Sequence, residues 1–174
     1  MHACVKKSWK GEFKMAYGDC LTDQSGLSEF NGRDSVDLLA RVMYSEAGNQ
    51  EYVGRQGVCW VVKNRIAKNL SEFGGNTFAG VILSGGFAGM YTYAARCPNT
   101  TEYGWTSSLY IAQNHTTQYN PIGTCLWFNT NTYYANHSQV VNGVEQYNGF
   151  GTGWKTVVEK VVLQDHTFFR VAGY

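Results

Sequence analysis

The sequence predicts an α+β fold that is mainly helical, with a small β element near the C-terminus. Three observations support this prediction. Apolar residues recur at helical spacing within residues 34–69, and a shorter helical pattern follows within residues 106–117. The last segment, KTVVEKVVLQDHTFFRV, is typical of two short strands. The 174 residues are enough for one compact domain with a sizeable core.

The first two helices have recognisable ends. Residues 1–33 carry weak periodicity and are interpreted as an N-terminal extension packed on the core. Asp34 or Ser35 is predicted to cap the first helix, and residues 48–49, a Gly-Asn pair, should end it. The second helix is predicted over roughly residues 51–69, where GVCWVVKNRIA is strongly apolar.

The remaining elements are shorter. FAGVIL, between two glycine pairs, is predicted to form a short helical or extended piece. A third helix is expected to be capped by Thr106 and to run to about Thr117. TCLWFNT suggests a short strand, and the C-terminal hairpin should turn near Asp165. Between them lies a long stretch rich in Asn, Tyr and Gly, to which we assign no element.

Composition narrows the class of partner. The chain is 44% hydrophobic and 16% charged, with a net charge of +1, which is typical of a globular protein. Nucleic-acid-binding proteins usually carry a basic surface, so we expect no nucleic acid as partner. A neutral or sugar-like substrate fits better. No apolar run approaches the roughly 20 residues of a transmembrane helix, so no membrane span is expected.

The cysteine count is odd, so at least one thiol is free or pairs between chains. The five are Cys4, Cys20, Cys59, Cys97 and Cys125. Cys59 lies in an apolar helical run and is predicted to be buried. The histidines and cysteines (Cys97, His115, Cys125, His137 and His166) have neither the ligand spacing of a zinc site nor the setting of a nucleophilic cysteine. We therefore expect no metal and no cofactor.

Glu46 occupies an unexpected position on the first helix. At about 100° per residue it falls within about 20° of the centre of the apolar stripe. That stripe consists of Leu38, Leu39, Val42 and Met43, while the opposite side carries Asp37, Arg41 and Tyr44. Burying a carboxylate without a partner costs several kcal/mol. Two explanations are structural: the helix end frays into solvent, or Glu46 pairs with an arginine such as Arg65.

A third explanation for Glu46 is chemical. In the last helical turn the helix dipole disfavours a negative charge, and apolar neighbours disfavour it further, so the pKa of Glu46 should be raised. A carboxyl group that stays protonated near neutral pH can donate its proton to a glycosidic oxygen. Periodicity alone leaves all three explanations open.

The segment RVMYSEAGNQEYVGRQGVCWVVKNRI resembles the signature of the SleB-type cell wall hydrolases, the spore-cortex-lytic enzymes. The matching positions are Arg41, Tyr44, Glu46, Ala47, Gly54, Gln56, Asn64 and Arg65. FAGVILSGGF, LWFN and DHTFFR resemble later segments of that family and follow in the expected order. The resemblance runs from about residue 36 to residue 170, with an interruption between residues 131 and 158.

The resemblance implies a lysozyme-like or lytic-transglycosylase-like fold that cleaves the glycan strands of peptidoglycan. It also implies that Glu46 is the catalytic residue and that residues 34–174 form the catalytic domain. The cell wall or the spore cortex would be the site of action. One departure concerns a loop in which the family usually has Gly-Gln-Phe. This chain has Gly85, Gly86 and Phe87 there, which puts one substrate contact in doubt.

The sequence also favours one reaction over another. Two-carboxylate glycosidases need a second Asp or Glu beside the scissile bond. Glu51 and Glu72 are the nearest candidates, but each is expected to be a surface charge, and Glu145 and Glu159 are weaker candidates. A single acid favours a lytic transglycosylase, with muramidase-type hydrolysis as the alternative. A non-catalytic wall-binding module is the alternative of another class, although a binder gains nothing from a desolvated acid.

Aromatic and amide side chains should form the glycan groove. The residues predicted to bind substrate are Phe87, Tyr91, Trp127, Phe128, Asn129 and His166. Tyr133, Tyr134 and Asn131 are further candidates. Arg65 is expected to be structural.

The biological setting stays open between a spore enzyme, a phage lysin and an autolysin, and the sequence leaves protein partners unknown. The first 20 residues contain lysines but no apolar stretch of a signal peptide. We therefore expect either a phage lysin or a protein from which an export signal has been trimmed.

Overall fold

The computed structural model describes residues 16–174. Residues 1–15, which include Cys4 and part of the predicted N-terminal extension, lie outside the described residues. Six α-helices are present in the described part: α1 (Ser35–Ala47), α2 (Tyr52–Lys68), α3 (Phe78–Ile82), α4 (Tyr93–Arg96), α5 (Tyr103–Gln113) and α6 (Asn131–Asn136). The same described residues contain three 3₁₀ helices, at Gly26–Phe30, Ser71–Phe73 and Ala88–Tyr91. Within residues 16–174 no helix is long and apolar enough to cross a membrane.

Within residues 16–174, five strands form one antiparallel sheet with the order β1-β5-β4-β3-β2. They are β1 (Trp127–Thr130), β2 (Ser138–Val141), β3 (Val144–Tyr147), β4 (Lys155–Leu163) and β5 (His166–Val171). The C-terminal hairpin turns at residues 164–165, as predicted. β1 pairs along β5, so that Asn129 lies opposite Thr167 and Thr130 opposite His166. This pairing brings the predicted aromatic strand and the C-terminal segment side by side.

The helix predictions hold for α1 and α2. Asp34 caps α1, because its Oδ1 accepts a hydrogen bond of 2.8 Å from the Val36 N–H. α2 ends where Asn69 adopts a left-handed backbone conformation.

The prediction for the third helix was wrong at both ends. α5 begins at Tyr103 and ends at Gln113. Its N-cap Glu102 is held from outside the helix by the Tyr44 hydroxyl, which donates to Oε2 at 2.6 Å. Glu102 makes no side-chain cap hydrogen bond, so the usual N-cap pattern does not mark the start of α5.

The stretch between residues 131 and 154, to which the sequence analysis assigned no element, has regular structure. It forms α6, β2 and β3, and the two strands meet at Asn142 and Gly143, which both have positive φ. An Asn-Gly pair between strands is typical of a two-residue hairpin turn. That signal is present in the sequence, so this part of the sheet could have been predicted.

The main core lies between the helices. α1 packs against α2 and α5, and Phe168 of β5 joins the same apolar cluster. Gly57 of α2 makes this approach possible, since a Cβ there would lie 2.5 Å from the Phe168 ring. A second apolar cluster joins α6 to the sheet and consists of Tyr134, Tyr147, Phe169 and Val171. Cys59 is buried with a free thiol, as predicted.

The side of α1 opposite the apolar stripe is also buried. Asp37 Oδ2 accepts hydrogen bonds of 2.7 Å from Nε of both Arg33 and Arg41, and its Oδ1 accepts one of 2.8 Å from the Gly18 N–H. The Arg41 side chain is fully buried, and its guanidinium donates to the Asp19 carbonyl at 2.6 Å. These contacts attach residues 16–33 to α1. A disulfide between Cys20 and Cys97 attaches the same segment to the end of α4.

Candidate active site

Glu46 lies in the last turn of α1, half-buried, and faces a cavity of about 350 Å³. This candidate catalytic cavity is lined by Glu46, Arg65, Gly86, Ala88, Trp127, Phe128, Asn129, Thr130, Tyr133, Tyr147, Gly149, Phe150 and His166. Its volume falls within the range of about 300–1,000 Å³ that is usual for ligand pockets. Among these lining residues, Glu46 has the only carboxyl group.

The environment of Glu46 disfavours its ionised form. Burial raises the pKa of this carboxyl, as the sequence predicted, while a hydrogen bond from the Gly89 N–H and the charge of Arg65 act in the opposite direction. The Gly89 N–H donates to Oε1 at 2.6 Å, and this holds the carboxyl group in one orientation. The remaining oxygen, Oε2, accepts no hydrogen bond from the rest of residues 16–174. A protonated Glu46 therefore has a free oxygen for a ligand.

Gly89 can approach Glu46 because it has no side chain. A Cβ at this position would lie 2.7 Å from Ser45 Oγ and 2.8 Å from the Ser45 carbonyl carbon. The 3₁₀ helix Ala88–Tyr91 is therefore pressed directly against the end of α1. Sequence reasoning missed this contact, because a backbone donor carries no residue-type signal.

Arg65 of α2 lies beside Glu46 but is held by other groups. Its Nε donates to the Leu126 carbonyl at 2.8 Å, and its guanidinium lies over the rings of Phe73 and Phe87 at 5.2 Å and 4.8 Å. Burial lowers the pKa of Arg65 to about 10, and the charge of Glu46 opposes this shift. Arg65 thus supports the cavity wall, and its charge limits the rise in the pKa of Glu46.

Four of the six residues predicted to bind substrate line the catalytic cavity, namely Trp127, Phe128, Asn129 and His166. All four lie on β1 or at the start of β5, the strands that the pairing places next to each other. The sequence selected them because LWFN and DHTFFR each resemble a segment of the same family.

The other two predictions are not supported by the geometry. Phe87 is 1% exposed and stands behind the cavity, stacked on Arg65, and does not line it. Tyr91 is 59% exposed and lies outside the cavity. The 3₁₀ helix that follows Phe87 turns the chain so that the Gly89 backbone faces Glu46. A sequence motif does not predict how this turn orients the residues around it.

Of the three further aromatic and amide candidates, one lines the cavity and two do not. Tyr133 lines the cavity, whereas Tyr134 is buried beneath the sheet, where its hydroxyl donates to Glu145 at 3.1 Å. Asn131 does not line the cavity either. Its side chain bonds to Gln164 and Thr167 and fixes the C-terminal hairpin.

Two polar groups in the cavity remain uncharged near neutral pH. Asn129 Nδ2 donates to the Tyr147 hydroxyl at 2.8 Å, and burial raises the pKa of Tyr147 to about 12. Burial lowers the pKa of His166, although the nearby Asp165 opposes this. His166 Nδ1 is buried without a hydrogen-bond partner among the described residues. Both side chains therefore offer neutral hydrogen-bonding groups, which suit a ligand rich in hydroxyl and amide groups.

Tyr147, Gly149 and Phe150 complete the cavity wall, and sequence reasoning did not select them. They belong to the stretch where the resemblance to the family is interrupted. Gly86, the position where the chain departs from the family, also lines the cavity. A Cβ there would lie 3.0 Å from Arg65 Nη1.

The other acidic candidates do not line the cavity. The Glu72 carboxylate accepts from the Tyr174 hydroxyl at 2.9 Å, Glu145 pairs with Lys160, and Glu159 pairs with Arg170. Glu51 stands at the exposed start of α2. Among residues 16–174, no group of three or more His, Cys, Asp or Glu side chains is arranged to hold a metal ion.

Comparisons with known proteins support the fold. No protein-family profile and no curated protein sequence matches this chain. Among solved structures, the chain is similar to the catalytic domain of the germination-specific lytic transglycosylase SleB from Bacillus anthracis. The TM-score is 0.51 at 19% identity, and the match covers 80% of this chain and 98% of that one. The predicted resemblance and the mainly helical α+β fold are thus confirmed at the level of the fold.

Proposed function

We propose that this protein cleaves the glycan strands of peptidoglycan in a cell wall or spore cortex, with Glu46 as general acid and base. One observation carries the proposal: a carboxyl group whose pKa is raised by burial ends in a cavity walled by aromatic rings. The fold shared with the catalytic domain of a lytic transglycosylase supports the substrate class.

The first step uses the protonated form of Glu46. Its carboxyl proton passes to the oxygen that joins two sugars, and the bond between that oxygen and the anomeric carbon breaks. The raised pKa keeps the proton available near neutral pH. The Gly89 N–H then stabilises the carboxylate that forms, because a hydrogen bond to a charged acceptor is stronger than one to a neutral acceptor.

The second step determines the product. The Glu46 carboxylate removes the proton from the 6-hydroxyl of the muramoyl sugar, and that oxygen bonds to the anomeric carbon. An anhydro ring closes and Glu46 regains its proton, so no water is consumed and no second carboxylate is needed. The absence of another carboxyl group among the residues that line the cavity supports this route over a two-carboxylate hydrolysis.

The cavity walls fit a saccharide. Trp127, Phe128 and Phe150 present aromatic rings that can pack against the C–H faces of sugar rings. Asn129 and His166 offer hydrogen-bonding groups for N-acetyl and hydroxyl substituents. Apolar faces with a few fixed polar groups are the usual composition of a ligand site.

Digestion of purified peptidoglycan and of spore cortex tests the proposal, with the soluble muropeptides identified by mass spectrometry. The native protein is expected to release anhydromuramic ends, and Glu46→Gln should lower turnover about 10²–10⁴-fold, the usual contribution of a general acid. Glu51→Gln is the matched control, because this exposed carboxyl lies outside the cavity and should leave turnover unchanged.

Other products would change the conclusion. Reducing muramic ends would mean that water is the nucleophile and that the protein is a muramidase. Binding to the wall without release of any product would contradict cleavage and identify a wall-binding module.

A further inference from the structure

A second cavity of about 360 Å³ adjoins the catalytic cavity. Trp127 and Phe150 line both cavities, and their ring centroids are 5.0 Å apart. These two rings therefore form a shared wall. A ligand that lies in the catalytic cavity has to extend only past this wall to reach the second one.

The second cavity differs from the first in its charges. Its lining includes the Lys155 ammonium, which is exposed and forms no ion pair with another of residues 16–174. It also includes the exposed Glu72 carboxylate, whose Oε2 accepts from the Tyr174 hydroxyl and whose Oε1 accepts from no described residue. One basic and one acidic residue thus line the same cavity.

Strand pairing fixes the position of Lys155 relative to the catalytic cavity. Lys155 begins β4 directly opposite Tyr147 of β3, and Tyr147 lines the catalytic cavity. Cross-strand partners lie on the same face of a sheet with Cβ atoms about 4.5–5.5 Å apart. The ammonium is therefore carried on a regular strand next to the wall of the first cavity.

We propose that the second cavity binds the stem peptide of peptidoglycan. In peptidoglycan the muramoyl sugar carries this peptide on its lactyl group, and the peptide contains free carboxylates and a diamino acid. Lys155 would bind a peptide carboxylate and Glu72 would face the amine, while the sugar occupies the catalytic cavity. This inference rests on the proposed function and narrows its substrate to peptide-bearing glycan.

Charge favours the stem peptide over a further saccharide unit as the occupant. The backbone of a peptidoglycan glycan strand is uncharged, and its charges are carried by the attached peptides. A neutral sugar could form only hydrogen bonds with Lys155 and Glu72, whereas the peptide could also form ion pairs with them. They complement a ligand with charges of both signs.

Binding to two ligands tests the inference. One is a disaccharide that carries a tetrapeptide, and the other is the same disaccharide after an amidase has removed the peptide. Glu46→Gln serves as the background because it should bind without turnover. We expect this variant to bind the peptide-bearing ligand about five- to tenfold more tightly, since a contact worth 1.4 kcal/mol changes Kd tenfold.

Substitutions of lysine assign this difference to the second cavity. Adding Lys155→Ala should weaken binding of the peptide-bearing ligand about three- to fivefold, as expected for an exposed charge contact, and leave the other ligand unaffected. Lys155→Arg should restore the affinity and Lys155→Glu should weaken it further. Lys68→Ala is the control, because it removes the same charge from α2 outside the second cavity.

Each outcome decides the inference separately from the proposed function. Equal affinities for the two ligands, no binding of either one, or a loss in Lys155→Ala that is the same for both would overturn the peptide site. Cleavage by the native protein is measured in parallel on strands with and without peptides. Cleavage of both at one rate contradicts the peptide site alone, whereas Lys155-dependent binding without any cleavage contradicts the proposed reaction alone.

Discussion

At the scale of single residues, Glu46 combines two properties that a general acid needs. Burial of its carboxyl group disfavours ionisation, and yet Oε2 accepts no hydrogen bond from another of the described residues and can contact a ligand. Carboxyl groups with raised pKa values cluster at functional sites, because a general acid has to keep its proton near the working pH. The same property should have a measurable effect on stability.

Replacing Glu46 by Gln should stabilise the protein at high pH. The pKa of Glu46 is raised in the folded state, so stability is lost as the pH rises through the folded pKa and the carboxyl ionises. Gln cannot ionise and can still accept the Gly89 hydrogen bond. Urea unfolding should therefore give a higher free energy of unfolding for Glu46→Gln at pH 8, and the gain should vanish below the unfolded pKa of about 4.3.

Glu51→Gln is a control for which we expect the opposite change in the free energy of unfolding. Glu51 stands at the N-terminus of α2, where the helix dipole favours a negative charge, so its removal should lower stability at pH 8. A gain for Glu46→Gln that persists unchanged at pH 4 would contradict the role of ionisation.

Asp37 provides the negative charge that two buried arginines pair with. It is 1% exposed and accepts hydrogen bonds from Arg33 and Arg41, which are also buried. Asp37→Asn leaves both guanidinium groups without this negative charge and should lower the free energy of unfolding by about 3–5 kcal/mol. Urea denaturation measures the change, and a loss below about 1 kcal/mol would mean that these arginines find other partners.

At the scale of elements, the site depends on the contact between α1 and the 3₁₀ helix Ala88–Tyr91. The Gly89 backbone touches Ser45 and donates to Glu46 across this contact. The orientation and the pKa of the Glu46 carboxyl group therefore depend on the packing of these two elements.

Gly89→Ala should disturb that packing. The new Cβ would meet the Ser45 backbone at 2.8 Å, so the 3₁₀ helix has to move away and the hydrogen bond to Glu46 lengthens. Because this bond lowers the pKa of Glu46, its loss should move the basic limb of the pH–turnover profile to higher pH. Turnover should fall about tenfold, the effect of losing about 1.4 kcal/mol of stabilisation. A profile identical to that of the native protein would show that the bond does not tune Glu46.

At the scale of the whole molecule, residues 16–33 are attached to the helical core by hydrogen bonds of Arg41 and by a disulfide. Arg41 binds the Asp19 carbonyl, and it also donates to the carbonyls of Ala95 and Arg96 at the end of α4. The disulfide joins Cys20 to Cys97 across 77 residues of sequence. One buried arginine and one covalent bond thus link the same two parts of the chain.

The double substitution Cys20→Ser and Cys97→Ser should lower the free energy of unfolding by about 2–4 kcal/mol, because the open chain gains conformational freedom when unfolded. Dithiothreitol should lower the Tm of the native protein and leave that of the double variant unchanged. An unchanged native Tm under reducing conditions would contradict a stabilising disulfide.

By itself, the sequence determined the elements whose signals are local. The Asp34 cap, the periodicity of α1 and α2, the turn near Asp165 and the position of Glu46 on the apolar stripe all follow from residues a few positions apart. Short-range sterics and hydrogen bonds dominate at these distances. The motif around Glu46 also indicated the fold.

Only the tertiary structure decided which side chains meet at the cavity. Phe87 and Tyr91 carry the same aromatic signal as Trp127 and Tyr147, yet the first two lie outside the cavity and the last two line it. The difference arises from strand pairing and from the close approach at Gly89, which join segments far apart in sequence. Long-range packing of this kind depends on the whole core, so no local sequence pattern predicts it.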